Sequence, residues 1–523
     1  MGPDIRMHQR RASAMLIAMS DDFPPAAVTD SAARPAATGA RRLRILIVGS
    51  GFGGVAAAIE LLRHDAGTVT VLEAAEGIGG TWHHNTYPGA ACDVPAHLYS
   101  FSFAQRRDWT RLCSPQQEIL GYLREVADDH GVTPLVRCGQ RVRECRWDDD
   151  AGEWAVDTER GDTFRADAVV LACGQLNRPA IPDLPGAETY RGHSFHSARW
   201  DHGFDLRGRR VAVVGTGASA IQFVPPVAKA AASLTVFQRH GSWLLPRTNR
   251  VYSPVNRWFV ERVPGLQRLR RALTYAAVQM LTRSIRHPRT VGRAAAWYSA
   301  RFMRGQLPDP ELRARAWPDY TFGCKRILFS SQYLPTLTRP DVELVTEPLA
   351  AMTETGLRTA DGTERDFDCV IWATGFRVSE FVAPMRVIGA GGRELAQEWR
   401  DGAHAHLGIA VPGFPSLFFM FGPNTNSSGG SVIVYLEAQA AYIRQALAHL
   451  SRGGYRSVSV RPEVEAASDV ALQARFAGTA WTACDSWYKD EGGRIVANWP
   501  GYMGEYVERT RVFVPDEYAF TAR

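Results

Sequence analysis

Short apolar runs closed by glycine turns set the pattern of this chain, and the same arrangement occurs twice. Residues 44–48, RILIV, are apolar with β-branched side chains and stop at Gly49, which predicts a buried parallel strand. GSGFGG follows, then an Ala-rich helix from about Val55 to Arg63, then a strand, VTVLE, ending at Glu73. The order returns downstream: strand RVAVV at 210–214, GTGASA, a helix over 221–232, and strand LTVFQR ending at Arg239. Further apolar runs, RVRECRW, GEWAVDT, 167–174 and 367–376, predict more strands. Helical spacing predicts helices over 117–130 and 432–450 and a mainly helical stretch over 251–315. Strands alternating with helices in this way predict an α/β fold.

The two glycine turns carry the first chemistry. Gly49 permits the tight turn, Gly51 lets backbone approach a pyrophosphate, and Gly54 lets helix and strand pack closely. The pyrophosphate then lies at the positive end of the helix. Glu73 at the strand end accepts from a ribose 2′-hydroxyl, which favours FAD over NADP at the first site. At the second site Ala220 fills the third glycine position, and Gln238 and Arg239 replace the acid. An arginine fork matches a 2′-phosphate, so the second site favours NADPH over NADH.

Composition narrows the class. With 523 residues, 45% hydrophobic and 22% charged, the chain suits two or three globular domains. A net charge of +6 suits anionic cofactors, and no nucleic-acid reader motif accompanies it. No run reaches ~18 apolar residues, which predicts a soluble protein. The eight cysteines show no CxxC or CxxxxC spacing, which predicts reduced thiols, no zinc site and a cytoplasmic setting. His83 and His84 are adjacent and lack a third ligand at suitable spacing, so no metal is expected there. From Val251 to Arg304 the sequence holds eleven arginines and one acid, Glu261. That stretch reads first as a cofactor-facing or solvated insertion and second as a membrane-surface contact.

Between the two glycine turns stands YRGHSFHSARWD, residues 190–201. Its Gly192, His196, Trp200 and Asp201 resemble the fingerprint of type I Baeyer–Villiger monooxygenases, in which Phe is usual at the position of Tyr190. A second stretch, 79–93, resembles another family signature through Gly80, Trp82, Tyr87, Pro88, Gly89 and Asp93. The resemblance spans about Leu43 to Tyr518. It implies two Rossmann-like dinucleotide-binding domains, for FAD and NADP, with a helical insertion at about 250–320. The expected boundaries are a disordered tail at 1–40, the first part of the FAD domain at 41–184, the NADP domain at 185–365, and the second FAD part with a closing segment at 366–523.

The same resemblance implies the reaction: NADPH reduces FAD, O2 gives a C4a-peroxyflavin, and a ketone becomes an ester or lactone. Arg326 corresponds to the family's active-site arginine and Asp93 to its partner, the two catalytic candidates. Implied cofactor contacts are Gly49, Gly51, Gly53, Gly54, Glu73, Gly80, Thr81, Trp82 and Asp93 for the first site. For the second they are Gly215, Thr216, Gly217, Ser219, Gln222, Arg239 and Lys325, with Asn424 near the flavin and Trp487 in the closing segment. His240 and Gly241 stand where the family usually has Thr/Ser-Pro. Three other readings remain at this point. One is a related enzyme oxidising nitrogen or sulfur, against which Trp200 and Asp201 count. Another is a flavin disulfide reductase, which needs a cysteine pair near the flavin that the spacing does not offer. The third is a non-catalytic FAD/NADP-binding module.

Overall fold

The structure, a computed structural model, describes residues 42–523 apart from Thr248 and Ser428. The tail expected at 1–40 lies outside the described residues. In chain order the framework begins with β1 (Leu43–Val48), α1 (Phe52–Arg63), β2 (Gly67–Leu72), β3 (Val136–Arg137) and β4 (Ala168–Leu171). It continues with β5 (His193–His196), β6 (Arg210–Val214), α2 (Ala220–Ala230) and β7 (Ser233–Phe237). The helical stretch is α3 (Pro254–Arg262), α4 (Leu266–Arg286) and α5 (Val291–Gln306). β8 (Val342–Val345), β9 (Cys369–Trp372), β10 (Leu417–Phe419) and α6 (Val432–Arg452) complete it.

Two five-stranded sheets organise the molecule, ordered β10-β4-β1-β2-β3 and β8-β7-β6-β9-β5. Every pairing within them is parallel. Strands buried on both faces must be apolar throughout, which is why RILIV and RVAVV show no alternation. β1 lies between β2 and β4, and β6 between β7 and β9, so each glycine turn opens at a crevice where the strand order reverses. α1 covers the first sheet with Val55, Ala57, Ala58 and Ile59 buried. Its small side chains let α6 approach, and α6 buries Ile433, Leu436, Ala440, Ile443 and Leu447 on one stripe. Arg444 Nε lies 2.7 Å from Glu60 Oε1 across that contact.

The chain passes between the sheets twice, after β4 and after β9, and the two passages lie side by side. Ala180 N–H donates to Gly375 O (2.9 Å) and Arg377 N–H to Arg178 O (3.0 Å). One cysteine expectation fails. Cys324 and Cys484 form a disulfide across 160 residues, with Cα atoms 6.1 Å apart. Spacing along the chain cannot reveal a pair that only tertiary folding creates. The other six cysteines are thiols. Among the described residues no helix is long and apolar enough to cross a membrane.

Candidate active site between two nucleotide cradles

The first cradle is built by close backbone approach. Gly49 has φ +104°, and a Cβ there would fall 2.5 Å from the Ala172 carbonyl oxygen. At Gly54 a Cβ would fall 1.8 Å from Gly49 O, so neither position admits a side chain. Gly51 caps α1 without a side-chain hydrogen bond and abuts Gly80, while Gly53 packs toward Met420. Glu73 is buried just past β2. Its Oε2 accepts from the backbone N–H and hydroxyl of Ser50 (2.8 and 2.7 Å), and Oε1 accepts from Ala75 N–H (2.8 Å). Oε1 therefore retains acceptor capacity. Thr81 opens the short helix Thr81–His84, whose Trp82 is buried and donates through Nε1 to the Tyr99 hydroxyl (3.1 Å).

The second cradle repeats the geometry. Gly215 has φ +106°, and a Cβ there would fall 2.5 Å from Ala373 O, the counterpart of Ala172. Gly217 has no atom within 4 Å of where its Cβ would be, so the turn is open beside it. The Thr216 hydroxyl donates to His240 O (3.3 Å), and Ser219 precedes α2 with no side-chain cap. Arg239 is exposed past β7 and lies close enough to Lys325 for its charge to lower the ammonium pKa, after the larger effect of burial. His240, where the family pattern departs, is held 3.0 Å from Asp319.

These features fit the groups the sequence implies. Each cradle combines an uncapped helix start with glycines that leave backbone accessible. The first ends in a carboxylate with a lone pair to spare, whereas the second ends in a pair of cations. An anionic ribose phosphate suits only the second.

Between the cradles lies a charged cluster. Asp93, whose side chain is 8% exposed, stands 3.8 Å from Arg326 Nη2 through Oδ2 and 3.8 Å from Arg247 Nη1 through Oδ1. Gln222 Nε2 donates to Asp93 Oδ1 (3.3 Å) and to Ala91 O (3.0 Å), while its oxygen accepts from Ala91 N–H and the Tyr87 hydroxyl. Burial raises Tyr87 to about 12, which keeps it a neutral donor. Gln222, expected to contact NADP, thus also ties α2 to the 79–93 loop. Arg326 is 40% exposed and Arg247 only 15%, so the first side chain reaches solvent while the second is largely covered.

Sequence reasoning missed Arg247. Its position depends on a short parallel pairing of Leu244–Leu245 with Leu328–Phe329, which brings two distant segments together. Its Nη2 donates to Cys92 O (2.7 Å). A lone arginine in LLPRTNR carries no signal of that kind.

The linker residues lie along the passages between the sheets. His196 ends β5 beside Trp372, and its Nδ1 accepts from Ala198 N–H (3.1 Å). Burial lowers its pKa to about 4, so it is neutral at neutral pH. Trp200 packs edge-on against Phe195 and Phe223. Tyr190 folds over Gly192, where a Cβ would fall 2.2 Å from the tyrosine oxygen, and its hydroxyl donates to Phe367 O (2.9 Å). Asp201 pairs with His193 at 2.9 Å. Asn424 is tied to the C-terminal segment: its Nδ2 donates to Ile495 O and Asn498 O. Trp487 is partly exposed beside Tyr488, three residues past Cys484 of the disulfide.

The family described as pyridine nucleotide-disulphide oxidoreductase matches residues 46–284. A Baeyer–Villiger monooxygenase of Streptomyces coelicolor is 42% identical over 90% of this chain and 91% of its own length. A protein of the same description from Pseudomonas aeruginosa is 36% identical over 93% of each chain. The solved structure of an oxidized steroid monooxygenase bound to NADP is similar over 92% of this chain and 100% of that one, with TM-score 0.82 and 29% identity. A closed cyclohexanone monooxygenase covers the same shares with TM-score 0.83 and 27% identity.

Proposed function

We infer the reaction from one premise: the chain belongs to the Baeyer–Villiger monooxygenase family. It is an FAD- and NADPH-dependent flavin monooxygenase. The substrate proposed here is a ketone, converted to an ester or lactone with Arg326 acting on the carbonyl. One observation supports this reading above the others. A single carboxylate from the flavin-side loop, Asp93, lies 3.8 Å from each of two guanidiniums supplied by the other nucleotide unit.

Bound FAD and NADPH supply the reducing equivalents and the activation of O2. The chain's own residues bind, orient and shield. Gly49, Gly51, Gly53 and Gly54 leave the start of α1 accessible, Glu73 holds a ribose hydroxyl, and Gly80, Thr81 and Trp82 bound the same cleft. Gly215, Thr216, Gly217 and Ser219 serve the second dinucleotide. Arg239 and Lys325 hold its 2′-phosphate by charge and by fork geometry. Arg326 is exposed enough to face a carbonyl, and its fixed positive charge stabilises the negative charge that grows on the ketone oxygen as the new C–O bond forms. Asp93, braced by Arg247 and Gln222, keeps that guanidinium aimed. His196, Gly192 and Trp200 set how the two sheets meet. The segment carrying Trp487 excludes water from the reacting groups.

A product assay with a ketone and a thioether offered together separates this reading from heteroatom oxidation. The expected product is ester or lactone carrying one atom from labelled O2. Sulfoxide as the sole product would overturn the ketone assignment.

A further inference from the structure

The helical insertion turns an apolar face outward. The inward side of α4 is fixed: Thr282 and Ile285 are buried, Gln267 Nε2 donates to Arg106 O (3.0 Å), and Arg271 Nη1 donates to His97 O (2.8 Å). The opposite side carries Leu269, Leu273, Ala276 and Met280 at i, i+4, i+7 and i+11, one stripe at 3.6 residues per turn. Leu269 is 54% exposed, Leu273 62% and Met280 53%. The preceding helix, α3, exposes Val255, Trp258 and Phe259, and Val263 between the helices is exposed as well. Scattered exposed leucines are ordinary, but a periodic stripe beside exposed aromatic side chains marks an interaction surface.

Charge identifies the partner. Arg268 and Arg283 are exposed on α4 and Arg262 at the end of α3, where its guanidinium lies 5.3 Å over the Trp258 ring. We propose that this face docks the enzyme on an anionic lipid surface, with Leu269, Leu273, Met280 and Trp258 at the acyl boundary and the arginines among the phosphates. A second copy of the chain is a poorer occupant. Pairing about a two-fold axis sets each basic face against its twin, with Arg268 and Arg283 of one copy facing those of the other. An anionic bilayer meets both the apolar stripe and its basic rim.

Co-sedimentation of the full-length, FAD-loaded enzyme with extruded vesicles tests this. Vesicles of phosphatidylcholine with phosphatidylglycerol should bind the enzyme at least ~10-fold more strongly than phosphatidylcholine alone, and about 0.5 M NaCl should largely release it. The double variant Leu269→Ser/Leu273→Ser, and separately Arg268→Gln/Arg283→Gln, should each weaken binding by about tenfold while ketone oxygenation in solution is kept. Equal partitioning to the two vesicle types, or none to either, overturns the proposal. So does a concentration-dependent dimer that Leu269→Ser/Leu273→Ser dissolves while vesicle binding is absent.

Discussion

Replacing Arg247 with methionine keeps an apolar stem of similar reach and deletes one of the two positive charges beside Asp93. In the parent, Nη2 donates to Cys92 O over 2.7 Å and Nη1 stands 3.8 Å from Asp93. A charged donor on a buried carbonyl contributes about 1.5–3 kcal/mol. The attraction between unit charges at that spacing is about 4 kcal/mol at an effective dielectric of ~20, which serves as a ceiling. Arg326 still faces Asp93 after the substitution, so the carboxylate is not left wholly unpaired. We therefore expect Arg247→Met to lower unfolding free energy by about 3 kcal/mol, the low end for breaking a buried pair. A double-mutant cycle with Asp93→Asn isolates the pair, with an expected coupling of about 1–3 kcal/mol. The assay is urea unfolding of the four FAD-loaded proteins, followed by tryptophan fluorescence. A coupling below about 0.5 kcal/mol would mean that the two side chains act independently, and the cluster as described would be refuted. In turnover, Arg247→Met should lower ketone oxygenation about tenfold while NADPH oxidation continues, because the loss falls on the aim of Arg326.

Three further outcomes follow from the geometry. Arg239→Ala should raise KM for NADPH at least ~10-fold and leave KM for NADH nearly unchanged, since only the former carries the 2′-phosphate; equal shifts would remove that role. Burial lowers His97 and His196 to about 4, so the unfolded chain binds their protons first: their stability contribution is complete above about pH 6.5 and is lost as pH falls toward 4. His97→Phe, which keeps a ring beside Tyr252, should spare about 2.5 kcal/mol of the loss between pH 7 and 4.5, and parallel acid profiles for variant and parent would contradict it. Cys324–Cys484 closes 160 residues, a loop whose chain-entropy limit is about 5 kcal/mol. An unreduced digest should contain the linked peptides and Cys484→Ser should lower Tm, whereas full alkylation of both thiols in unreduced, unfolded protein would dismiss the bond.

How much of this was readable from residues depends on how local the signal is. GSGFGG and GTGASA announce their cradles because tight turns need glycine at fixed offsets; the structure places Gly49 and Gly215 against the equivalent carbonyls of Ala172 and Ala373. Glu73 and Arg239 were legible by position, standing one and two residues past short apolar strands that end at Leu72 and Phe237. Element ends shifted by a few residues, as in α1, which begins at Phe52 and not near Val55, because the glycines themselves supply its first turn. Arg247, the bonds of Gln222 to Tyr87, Ala91 and Asp93, and the Cys324–Cys484 pair were not legible. Each arises where segments far apart in sequence meet, and no periodicity or spacing encodes such a meeting. The outward stripe of α4 was half visible: the arginines stood out, but only packing shows which face is covered.

Arg326→Ala tests the central claim most directly, with NADPH-driven flavin reduction and ester formation measured on the same FAD-loaded preparation. The account predicts that reduction proceeds at close to the parent rate while ketone oxygenation falls by about 10²–10³, the usual effect of losing a preorganised charge at a developing oxyanion. Ester formation at the parent rate would contradict it.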